Sequence, residues 1–110
     1  MRLSNLLPLL KISLMKPIDR KTIVKRNPEL VSSNLDGETV MMSVESGEYF
    51  GLDSVGSRIW ELIENPVEVD GVIGALLDEF EVSREQCEAD TVEFLNQLLN
   101  KKLLVVMPLK

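Results

Sequence analysis

The stretch from Gly47 to Ile63 leaves this chain little freedom, because a short strand runs straight into a helix there with no linker between them. Ser46-Gly47 is a turn dipeptide, and Tyr49, Phe50 and Leu52 follow it at once. Residues 48–52 therefore read as the second arm of a hairpin. Asp53 or Ser54 then caps a helix in which Val55, Ile59, Leu62 and Ile63 recur at the spacing of one helical face, until Asn65-Pro66 ends the pattern. A junction of this kind leads the strand into the core and leaves its outer edge unpaired.

Upstream, residues 29–35 can pair with 38–44 across Asp36-Gly37, a two-residue hairpin signal. Val40, Met42 and Val44 alternate with Thr39, Met41 and Ser43, which predicts one buried and one more exposed face. With residues 48–52 this makes a three-stranded antiparallel meander whose first and third strands are edges. A sheet this small needs helices over one face. Thr22, Ile23 and Val24 are β-prone, and Asn27-Pro28 breaks the run, so a strand on either side of the break is expected. Leu103 to Met107, closed by Pro108, read as a last short strand or an extended tail.

Val69, Val72, Ile73, Leu76, Leu77 and Phe80 give the cleanest amphipathic helix, over 68–80. Gly71 and Gly74 weaken it by about 1 kcal/mol each relative to Ala, so tertiary packing must hold it, with the glycines expected to let the first helix come close. Ser83-Arg84-Glu85-Gln86 is a capping box opening a third helix, flanked by Val82 and Cys87 at the positions of a hydrophobic staple. Val92, Leu95 and Leu99 form one stripe, and Phe94 and Leu98 widen it beyond what one small domain requires.

With 110 residues, 45% of them apolar but only 5% aromatic, the chain makes one small domain over residues 21–110, preceded by an N-terminal extension over 1–20. One cysteine, Cys87, excludes an internal disulfide, and the absence of histidine removes the Cys/His metal sets and the histidine general base. No cofactor or metal is expected, and Cys87 reads as a buried structural thiol. Residues 1–28 hold seven basic side chains and one acid, which leaves five basic and seventeen acidic residues for 29–110, a net charge of about −12. Such a surface repels phosphate, so nucleic acid is not an expected partner. The apolar start is interrupted by Pro8 and Lys11, lacks a small-residue cleavage site and falls short of the roughly 20 residues of a membrane span. A cytoplasmic chain without a membrane partner is expected.

Three strands followed by three helices make an α+β fold of the winged helix-turn-helix type. Residues 45–63, the helix over 67–80, and 89–98 with Leu103-Leu104 resemble the pyrroloquinoline quinone synthesis protein D family, over about residues 27–106. Members of that family recognise precursor peptides in the biosynthesis of ribosomally made, post-translationally modified peptides. The chain looks most like the small leader-binding proteins of lasso-peptide clusters, which work beside a leader peptidase and a cyclase; other relatives deliver a peptide to a radical SAM enzyme. The resemblance implies that a leader peptide adds as an extra strand along the third strand of the sheet, in a groove bounded by the third helix. On this chain that places the site at Glu48, Tyr49, Phe50, Gly51 and Leu52, against Asp90, Phe94, Leu95 and Leu98, with no catalytic residue. One of Tyr49 and Phe50 faces the core and the other faces outward. Lys101-Lys102 stands where many relatives have a glycine near the helix end. The expected state is a monomer or a weak homodimer.

Two other classes fit less well. A winged-helix DNA binder needs a basic recognition helix, but residues 83–100 carry Arg84 against Glu85, Glu88, Asp90 and Glu93. An enzyme would lack a histidine, a metal set and a glycine-rich phosphate loop.

Overall fold

Residues 18–107 are described by the computed structural model, and the expectations for the first 17 residues lie outside them. In chain order the elements are β1 (Ile23–Arg26), β2 (Leu30–Leu35), β3 (Glu38–Ser43), β4 (Tyr49–Leu52), α1 (Ser54–Leu62), β5 (Val67–Glu68), α2 (Val69–Glu79), α3 (Arg84–Asn100) and β6 (Leu104–Met107). The fold is α+β, with the expected meander in the order β2-β3-β4 and a second small antiparallel sheet, β5-β1-β6. Leu35 stands opposite Glu38, and Asp36 and Gly37 both have positive φ, at 54° and 87°. These are the dihedral signs of a type I′ turn, whose twist matches the strands it joins.

The two faces of β3 are unequal in the way its alternation predicts. Thr39 and Met41 are buried and Val40 and Met42 only partly so, which makes the face carrying the polar threonine the inner one. Phe50 stands opposite Met41 and Leu52 opposite Thr39, so both lie on that inner face and pack against the core.

Asp53 caps α1 by accepting a hydrogen bond from the Gly56 N–H at 2.8 Å. Ile59 and Ile63 of the expected stripe are buried, but so is Trp60, whose indole N–H finds no hydrogen-bond partner among the described residues. Its ring lies 5.2 Å beneath the Arg26 guanidinium, a cation–π distance, and Arg26 also donates to the Trp60 carbonyl at 3.3 Å. The glycines of α2 are not the point of close helix approach: a Cβ on Gly71 would meet Val67, and one on Gly74 would meet nothing within 4 Å. That part falls to Gly56, where a Cβ would come within 3.3 Å of Leu52 and of the Phe94 ring.

The capping box of α3 is half formed. Ser83 accepts from the Gln86 N–H at 3.1 Å, but the Gln86 side chain turns forward to Asp90 at 2.9 Å instead of back to Ser83. At the other end the Leu103 N–H donates to the Leu98 carbonyl and the Lys102 N–H to that of Leu99, the paired bonds of a Schellman motif. Lys102 holds the left-handed position at φ 65°, so the helix ends cleanly although a lysine occupies the usual place of glycine. Cys87 is buried, 3.9 Å from the Thr91 hydroxyl. Arg58 binds both carboxylate oxygens of Glu79 at 2.8 and 2.9 Å and so ties α1 to α2. These bonds hold the Glu79 carboxyl below its ordinary value and raise the Arg58 guanidinium further.

Candidate functional site

The edge of β4 is defined by which backbone groups β3 already uses. Ser43 donates to the Glu48 carbonyl at 2.9 Å, and the register continues as Met42 to Tyr49, Met41 to Phe50, Val40 to Gly51 and Thr39 to Leu52. Hydrogen-bonded pairs alternate along an antiparallel ladder. Phe50 and Leu52 therefore turn N–H and C=O toward β3, while Tyr49 and Gly51 turn theirs outward. No described strand pairs on that side.

Side chains follow the same alternation. Phe50 and Leu52 are half-buried against the core, whereas Tyr49 is 71% exposed on the opposite face. Tyr49 continues a cross-strand row with Met42 and Val31, and Gly51 continues one with Val40 and Ser33. Glu48 and Asp53 flank the strand and make its surroundings acidic.

The third helix approaches the end of this strand at Gly56. Leu52 and the Phe94 ring converge over Gly56, where the missing side chain allows the end of β4, the start of α1 and the middle of α3 to touch. Phe94, Leu95 and Leu98 are all buried, at 3%, 0% and 4% exposure. Asp90 is half-buried on α3 and holds the Gln86 amide. The structure thus brings Phe94 to Leu52 and buries Leu95 and Leu98 in the core. Gly56 was not among the predicted site residues; its only signal was a glycine inside a helix three positions after the cap.

The extra apolar width of α3 is also accounted for on its other flank. Val92 and Ala89 line an open groove of about 580 Å³ with Ile18, Asp19, Arg20, Glu85, Glu88 and Glu93, and the Ile18 N–H donates to Asn96 at 3.0 Å. A smaller hollow of about 220 Å³ lies beside Trp60, Arg26 and Pro28. Neither is lined by β4, but strand addition uses an edge and does not need a cavity.

The family model described as Coenzyme PQQ synthesis protein D (PqqD) matches residues 38–104, from β3 through α3 to the start of β6. The chain belongs to the PqqD family. Among solved structures it is similar to "TbiB1 in Complex with the TbiA(beta) Leader Peptide", with 41% identity and a TM-score of 0.69, over 73% of this chain and 93% of that one. It is also similar to "Lasso peptide synthetase B1 complexed with the leader peptide", with 24% identity and a TM-score of 0.61, over 77% of this chain and 98% of the other. At that identity the second likeness speaks for the fold alone. No curated protein matches the sequence. Within this PqqD-family chain, no helix of the described residues is long and apolar enough to cross a membrane.

Proposed function

We propose that this chain binds the leader segment of a ribosomally synthesised precursor peptide by strand addition along β4, and holds it for the leader peptidase and cyclase of a cytoplasmic lasso-peptide pathway. The observation that carries the reading is the open edge of β4, in a PqqD-family chain 41% identical to a protein solved with a leader peptide. A strand edge is a liability in a free protein, and an added peptide strand satisfies its backbone groups. Tyr49 and Gly51 supply the outward donors and acceptors, and Glu48 and Asp90 border the site. Leader side chains on the inner face meet Phe50 and Leu52 first, with Phe94, Leu95 and Leu98 behind them. Backbone pairing is blind to sequence, so these apolar walls select the partner. The chain itself has no catalytic part in this reading.

A pull-down of co-encoded short peptides tests it. A precursor should be retained through its leader, and loss of that leader should abolish retention. Salt-sensitive retention of DNA without any peptide would point to nucleic-acid binding and overturn the proposal. Retention of the leader together with a radical enzyme, but no peptidase, would reassign the pathway while leaving the binding edge in place.

A further inference from the structure

Of the glycines in the described chain, Gly56 alone is buried, and it is hemmed in on three sides. A Cβ built on it would lie 3.3 Å from Asp53 Oδ1, from Leu52 Cβ and from the tip of the Phe94 ring, Cζ. Carbon atoms rest at about 3.5–4.0 Å from one another, so one of the three neighbours would have to give way. Asp53 is held, because its Oδ1 accepts the Gly56 N–H and its carbonyl accepts the Ser57 N–H, each at 2.8 Å. Leu52 is held as well: it pairs with Thr39 in the sheet, and its carbonyl accepts the Ser57 hydroxyl at 3.3 Å. Phe94 Cζ is the far end of a side chain and carries no such tie. The ring tip is therefore the part that yields to anything larger than hydrogen at position 56.

We propose that Gly56 is a positioning residue of the peptide site: its bare α-carbon lets the Phe94 ring lie back against Leu52, and the place of that ring sets how large an apolar side chain the inner face beside β4 accepts. This rests on the strand-addition reading above and adds to it a residue of α1 that touches no peptide and acts through Phe94. Leu95 and Leu98, the neighbours of Phe94 on α3, are buried at 0% and 4% exposure, and a close-packed interior does not make room for a displaced ring. The edge of β4 is the side on which no described strand lies. A methyl group at position 56 thus drives the ring toward that edge and narrows the space for a peptide side chain. A glycine within a helix weakens it relative to alanine, and the three contacts at 3.3 Å are what the described chain gains in exchange. The gauge is built into the junction of strand and helix, since Asp53, the residue between β4 and α1, fixes Gly56 by its cap.

The test uses the full chain and a displayed library of random twelve-residue peptides, selected on the parent, on Gly56→Ala and on Gly56→Ala combined with Phe94→Leu. Urea unfolding checks that each protein is folded. Parent-selected peptides should carry a large aliphatic residue at the position whose side chain meets Phe50 and Leu52, and those selected on Gly56→Ala a small one. A parent-selected peptide should bind Gly56→Ala about ten-fold more weakly, while its version with alanine at that position should bind both proteins alike. The double variant, whose shorter side chain at 94 clears the added methyl, should regain the preference for a large residue. A glycine that serves packing alone would weaken both peptides by the same factor, and that result, or an unchanged size preference, would overturn the gauge. Should Gly56→Ala fail to fold, Phe94→Leu alone decides: its selected peptides should carry a larger residue than the parent's, and the same residue on both would overturn the gauge. Peptides that bind without shifting the Tyr49 and Gly51 amides, or no selectable peptide at all, would overturn the strand-addition reading beneath it.

Discussion

Proline scanning of β4 separates the backbone part of binding from its side-chain part. At Tyr49 the N–H points out of the sheet, so Tyr49→Pro removes a donor for which no described residue is the acceptor, and the ring adds bulk where a leader carbonyl would sit in the proposed complex. A single hydrogen bond is worth about 0.5–1.5 kcal/mol net, and stranding the leader carbonyl without a partner costs about 1–3 kcal/mol. Binding should therefore weaken by about 1–3 kcal/mol, roughly five- to 150-fold in Kd. Stability should change little, because an edge position with its N–H toward solvent tolerates proline. Phe50→Pro reverses the pattern: its N–H is spent on Met41 and its ring packs on the core, so the fold itself should lose about 3 kcal/mol or more. Tyr49→Ala serves as the control for the exposed side chain. The measurements are urea unfolding of each variant and calorimetric titration with the leader retained in the pull-down. Equal leader affinity for Tyr49→Pro and Tyr49→Ala would refute strand addition at this edge. A folded Phe50→Pro beside an unfolded Tyr49→Pro would refute the assignment of which groups face outward.

Four further outcomes are expected. Purified protein incubated with its precursor should leave the precursor mass unchanged; cleavage or modification without a second protein would contradict a purely binding role. Cys87→Ala should lose roughly 1 kcal/mol in urea unfolding and bind leader as the parent does once folded, since the thiol is buried against α2, 4.0 Å from the Ile73 carbonyl. Lys102→Gly should gain about 1 kcal/mol, because it relieves a left-handed lysine at the Schellman position, and a loss on thermal unfolding would show that the lysine side chain contributes more than the strain costs. The Glu79 carboxyl is depressed by the Arg58 hydrogen bonds, so its contribution is present above the ordinary value of 4.5 and is lost as pH falls through the depressed folded value. The stability gap between parent and Glu79→Gln should accordingly narrow from pH 7 toward acid and also in high salt, and a gap independent of pH would mean the pair is not what holds α1 to α2.

Local chemistry made most of the fold legible. Asp36-Gly37 can form a tight turn of the right hand, Asp53 and Ser83 can cap, and the period of α1, α2 and α3 is visible within single windows of sequence. The second sheet was not legible to the same degree. Its strands span four, two and four residues, and β1 finds β6 only at the far end of the chain, as Ile23 opposite Met107. Partners so far apart leave no local trace. The inner face of β3 carries Thr39, and α3 buries Thr91, so apolarity alone misplaces the faces. At the site, alternation stated that Tyr49 and Phe50 must part company, but only the Ser43 to Glu48 hydrogen bond says which one turns its amide outward. The part played by Gly56 is not legible in the sequence, because a contact between three elements is written in no one of them.

The pairing of β1 with β6 also bears on the order in which the protein assembles. Bringing the two ends together closes a loop of nearly the whole described chain, and the entropy of closure grows with the logarithm of loop length. The β2-β3-β4 meander closes over short turns and runs directly into α1, so it can form while the ends are still apart. Pulse-labelled hydrogen exchange should therefore protect the amides of β3 before those of β1 and β6. In that order of events the strand edge at β4 would be finished before the chain's own ends are fastened, and under the strand-addition proposal a peptide present then would meet that edge ahead of the completed domain.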